Sequence, residues 1–160
     1  MITLSLRQVR FASSFSVPLR GHPAPNTSQV AQQFSHALAA RHARNVSVSG
    51  DRIVFEGPGI FATARWALLA HVDGGDLSIT PEAEALRIRY AIRYTRFAIL
   101  GTVIALLFAT IVGLRSGLAS GLAVFVFFEL VACVANVSIS LMRIRDFLEV
   151  TAHTAVRESA

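Results

Sequence analysis

Apolar residues occupy every second position through Leu86, Ile88, Tyr90, Ile92 and Tyr94, with Arg87, Arg89 and Arg93 interleaved. A period of two sends alternate side chains to opposite faces, so this run predicts a strand with one apolar and one basic face. Leu77 and Ile79 begin a preceding strand, before Pro81. Val46 and Val48, then Gly50-Asp51, then Ile53 and Phe55 read as a hairpin around a tight turn. Near the start, Ile2, Leu4 and Leu6 alternate, and Val9, Phe11, Phe15 and Val17 continue with a shift of phase, predicting an N-terminal strand region.

One segment has the other period. Val30, Phe34, Ala37, Leu38 and Arg41 follow the N-cap candidates Asn26, Thr27 and Ser28, predicting an amphipathic helix over about 28–43. Arg41 and Arg44 near its end suit the negative pole of the helix dipole. The stretch 60–72 mixes helix-favouring alanines with strand-like spacing at Trp66, Leu68, Ala70 and Val72, and we read strand from Trp66. Gly57-Pro58-Gly59 and Asp73-Gly74-Gly75-Asp76 read as turns. Residues 1–95 thus form a small α+β domain, one helix on a mainly antiparallel sheet, because the connections are too short for parallel crossovers. Its expected core holds Phe34, Leu38, Val48, Ile53, Phe55, Leu68, Ile79, Ile88 and Ile92.

Beyond residue 96 the periodicity gives way to continuous apolar sequence. Residues 97–114 contain no charge and make about 27 Å of helix at 1.5 Å per residue, just enough for a hydrocarbon layer. Residues 117–142 form a longer apolar run whose one charge is Glu129. Arg115-Ser116 leaves almost no loop, so 96–142 is expected to be a transmembrane hairpin. Residues 143–160 carry Ile144, Phe147, Leu148 and Thr151 at helical spacing and extend the second helix as a tail against the domain or a partner.

Composition agrees with a membrane protein, since 53% of the residues are hydrophobic, above the norm for soluble chains. All 15 basic residues are arginine, which fits a GC-rich genome and also supplies bidentate phosphate ligands. Arg87, Arg89, Arg93 and Arg96 precede the hairpin, Arg143 and Arg145 follow it, and Arg115 alone lies in its turn. That bias puts both termini in the cytoplasm, as expected in a bacterial inner membrane, with the six flanking arginines facing anionic lipid head groups. The stretch Met1–Val17 lacks the apolar core of a signal peptide, consistent with a cytoplasmic domain. A formal charge of +5 that is concentrated beside the apolar runs argues against a nucleic-acid partner.

Glu129 stands about 18–20 Å from either end of its run, near the midplane, where an ionised side chain costs about 2.5–3.5 kcal/mol. Cys133, Asn136 and Ser140 follow at helical offsets and form a polar stripe expected to meet protein, and Thr102 on the first helix comes to a similar depth. Gly101 with Ala105, and Gly117 with Gly121, offer small surfaces for close helix packing. The histidines His22, His36, His42, His71 and His153 all lie outside the spans and share no metal spacing, so neither a metal nor an axially bound cofactor is expected. No nucleophile, phosphate-loop or metal-protease pattern is present. The expectation is a non-catalytic accessory or assembly subunit of a membrane complex, or a homo-oligomer, with a proton- or cation-conducting oligomer around Glu129 as the alternative.

Overall fold

In the computed structural model, which describes residues 9–19, 25–58 and 68–158, the alternating run becomes a central strand. The strands are β1 (Arg10–Pro18), β2 (Arg44–Ser49), β3 (Arg52–Glu56), β4 (Gly74–Pro81) and β5 (Ala85–Arg93). They form one antiparallel sheet in the order β1-β5-β4-β3-β2. Register fixes the two faces. Phe11, Phe15 and Val17 sit opposite Ile92, Ile88 and Leu86, while Arg10, Ser14 and Ser16 sit opposite Arg93, Arg89 and Arg87. The expected strand around Ile2, Leu4 and Leu6 and the stretch 60–67 lie outside the described residues.

Two helices cover the apolar face. α1 (Thr27–Ala40) starts where the Asn26 side chain accepts a hydrogen bond from the Ser28 N–H at 3.0 Å. It packs on β2, β3 and β4 through Val30, Ala31, Phe34 and Leu38. The second cover is the chain's far end: α4 (Asn136–Glu158) lies along α1 and β1. Its Ile144, Leu148, Ala152, Ala155 and Val156 join Phe34, Ile53, Leu77, Ile88 and Ile92 in one buried cluster. The tail is therefore an integral layer of the domain, since a five-stranded sheet is too wide for one 14-residue helix to seal.

Several expectations need correction. Residues 68–71 form a turn, not a strand, and Leu69 and Val72 enter the core from it. Helix α1 stops at Ala40, so Arg41 is its C-cap and Arg44 opens β2 rather than serving the helix end. Val48 is 40% exposed, because β2 is the sheet's outer strand. The Asp73–Asp76 glycines begin β4: a Cβ on Gly75 would lie 2.8 Å from the Ala91 carbonyl oxygen and 2.9 Å from Ile92 Cδ1, so close strand packing requires glycine there.

α2 (Thr95–Ser116) begins one residue after β5 ends and is followed by α3 (Leu118–Phe128). Its N-cap position, Tyr94, provides no side-chain cap. Asp73 supplies one from a distance, accepting the Arg96 N–H at 2.8 Å and placing a carboxylate at the positive end of the helix. Asp73→Ala is expected to lower stability by about 1 kcal/mol, or about 2–4 °C in thermal midpoint, with Asp73→Asn losing less. Gly117, at φ +91, makes the reversal between α2 and α3.

α2 and α3 are long and apolar enough to cross a membrane, α3 by running on without a break as one 41-residue helical stretch to Glu158. Only 6% of the most apolar window of each is buried, so neither is a core helix. Their crossing is tightest at Gly121, where a Cβ would lie 2.7 Å from the Ala109 carbonyl oxygen and 3.0 Å from Gly113 Cα.

Candidate functional site

The stretch Glu129–Ala135, between α3 and α4, is wound as a π-helix. π-Turns are rare and cluster where a helix must present unusual groups, and this one opens on the only carboxylate of the apolar run. Wider winding offsets Glu129 from the angle at which uniform helical spacing would set it over Asn136 and Ser140. Glu129 is half-buried, and Asn136 and Ser140, one turn apart on the same side of α4, are exposed and buried respectively. The side chain of Cys133 lies outside the described residues.

Glu129 Oε1 is sealed from solvent and has no hydrogen-bond partner. Thr102, half-buried on α2, does not bond this oxygen, although α2 packs against the π-segment. A buried acceptor left unsatisfied costs about 1–3 kcal/mol, so the hairpin alone leaves this group poorly accommodated.

Ser140 is satisfied internally. Its hydroxyl and that of Tyr94 lie 3.0 Å apart, and Tyr94 is fully buried with its ring edge-on to Phe11 at 5.8 Å. The bond ties the base of α2 to α4, a role unseen in the sequence although Tyr94 ends the period-two run. Burial, opposed by the Ser140 bond, pushes the Tyr94 hydroxyl up to about 12. The folded state therefore holds this proton more tightly than the unfolded chain, whose tyrosine titrates near 10. The corresponding stability is intact below about pH 10 and is lost as pH rises toward about 12. Tyr94→Phe is expected to cost about 1–3 kcal/mol near neutral pH and to remove this alkaline loss, read from unfolding midpoints at about pH 9 and about pH 11.

The small residues divide by role. Ala105 is buried on α2, Gly121 packs on Gly113 within the hairpin, and Gly117 makes the turn with open space around it. Gly101 is half-buried. The glycine spacing thus serves contact between the hairpin's own helices.

The arginines divide too. Arg87 and Arg89 stand on the uncovered sheet face, about 20 and 14 Å along β5 from Arg93. Arg87 pairs with Glu82 at 3.2 Å, while Arg10 and Arg52 reach Asp76 at 2.8 and 3.8 Å. A recess of about 550 Å³ on this face includes Arg10, Ser14, Asp76, Ser78 and Arg89. Arg93 and Arg96 flank the start of α2, and Arg145 pairs with Glu149 at 2.8 Å one turn on. Arg143 lines a second cavity together with Arg41, His42, Asp146 and Phe147. His71 packs on Phe97 with ring centroids 4.5 Å apart, and burial lowers its pKa below the ordinary histidine value.

Among the described residues no group of three or more histidine, cysteine, aspartate or glutamate side chains is placed to hold a metal ion. No protein-family model matches the chain, and neither does any curated protein or solved structure.

Proposed function

We propose that this is a two-pass integral protein of a bacterial inner membrane, with both termini cytoplasmic. In this reading it is a non-catalytic accessory or assembly subunit whose second apolar helix packs on another membrane protein. Exposure supports the membrane part: Leu107, Leu114, Leu118 and Leu122 are 60–89% exposed, an apolar surface far too continuous for water. The arginine bias supports the orientation.

The observation that carries the assembly role is the unsatisfied Glu129 oxygen at the start of the π-turn. Glu129 is half-buried, so a second protein packed over its exposed part would cover a carboxylate that the hairpin alone leaves poorly satisfied, and α4 would carry that contact into the sheet domain as one continuous helix. Glu129→Gln keeps a polar group of the same shape and is expected to leave the complex largely intact, whereas Glu129→Leu is expected to shift the gently extracted protein to a smaller species with fewer co-purifying partners. Identical size and partner profiles for all three proteins would exclude the assembly role.

The placement of a π-turn on a midplane carboxylate also favours a second reading, a proton- or cation-conducting oligomer. Flux through liposomes that vanishes in Glu129→Gln would establish conduction in place of packing.

A further inference from the structure

We infer that the cavity between the end of α1 and the first turns of α4 past the apolar run binds the head group of a zwitterionic phospholipid, an ethanolamine phosphate ester. The cavity holds about 520 Å³, within the range of small-ligand sites. Its wall divides into donors and acceptors. Arg41 and Arg143 bring positive charge, His42 adds an imidazole N–H, and a guanidinium matches two oxygens of a phosphate ester. Asp146 lines the same cavity, and Ala40 brings the negative pole of α1 to its rim. A bare phosphate would meet repulsion from Asp146 and the helix end. A phosphate tethered to an ammonium satisfies both sets of groups.

Two further features fit this ligand. The Arg41 guanidinium lies over the Phe147 ring at 5.6 Å, which holds it against an apolar wall rather than loose in solvent. Depth agrees as well, and here the inference rests on the membrane reading. Arg143 is the first charge after the apolar run, and Val150, at the far side of the cavity, stands about 10 Å further along α4. The polar layer outside a bilayer's hydrocarbon core is about 5–8 Å thick on each side, so the cavity opens at head-group level.

The test is native mass spectrometry of the full chain in detergent micelles containing either phosphatidylethanolamine or phosphatidylcholine, with free phosphoethanolamine as a third arm. Both lipids carry the phosphate, but only the first has an ammonium that can donate hydrogen bonds. Retention of the ethanolamine lipid about tenfold above the choline lipid is expected, the scale of one charge-assisted hydrogen bond. Asp146→Asn should abolish that preference and Arg41→Gln should lower retention of both lipids. Both residues are exposed, and unchanged unfolding midpoints would show that the variants fold. Equal retention of the two lipids, or a preference untouched by Asp146→Asn, overturns the site. Saturation by free phosphoethanolamine as readily as by lipid overturns the lipid source. Carbonate washing of cell membranes separates the two readings: a protein released by it ends the membrane reading and the lipid site together, while a protein retained without lipid preference ends the site alone.

Discussion

Replacing Leu148 with alanine is expected to cost about 2–5 kcal/mol of folding stability, the range for deleting a fully buried leucine side chain. Val150→Ala, two residues further on, is expected to change it by less than about 0.5 kcal/mol. Leu148 is 1% exposed within the cluster that includes Phe34, Leu38 and Ile88, whereas Val150 is 66% exposed on the opposite side of α4. Chemical unfolding of the extracted protein, followed by the signal of the sheet domain, reads the contrast. Equal small losses from both variants would show that the tail does not close the core. A chain shortened after Arg145 would lose Leu148, Ala152, Ala155 and Val156 together and is expected not to fold its sheet domain stably.

Gly121→Leu is expected to disrupt the hairpin more than any other single substitution in α2 or α3. The added Cβ alone would stand 2.7 Å from a backbone carbonyl oxygen and 3.2 Å from a backbone nitrogen, atoms that cannot swing aside as a side chain does. The two helices would have to separate. Overpacking of this kind costs about 1–3 kcal/mol for small additions, so Gly121→Ala should lower the thermal midpoint in detergent and Gly121→Leu should lower it further. Spin labels on exposed positions of α2 and α3 should report a wider spacing. Gly117→Ala acts differently: its Cβ has open space, and its cost comes from φ +91 alone. A midpoint in Gly121→Leu equal to that of the parent would contradict the close crossing.

What could be read in the sequence depended on how far apart the interacting residues lie in the chain. The β5 alternation, the β2–β3 hairpin and the α1 stripe follow from neighbours a few positions apart and each appears in the structure, with the expected apolar side inward on β5, β3 and α1. Val48 failed because alternation marks a face without saying whether the strand is central or at an edge. The role of the tail needed the third dimension. Ile144 and Leu148 have the same spacing whether they cover their own domain or another protein, and only the width left uncovered beside α1 decides it. Asp73 capping α2 and Tyr94 bonding Ser140 join residues 23 and 46 positions apart, beyond any local pattern. At the candidate site, Glu129 stood out by its charge, but the π-turn that offsets it from Asn136 and Ser140 leaves no compositional signal.

Asn136 offers the most direct test of the central claim, that the polar stretch of the second helix meets protein. It is exposed on an otherwise apolar surface, at the first residue after the π-turn that opens on Glu129. A photo-reactive residue placed at position 136 and activated in intact membranes is expected to form covalent adducts with a protein, either a partner subunit or a second copy. The same residue at exposed Leu107 should label lipid. Lipid adducts alone at position 136 would contradict the account.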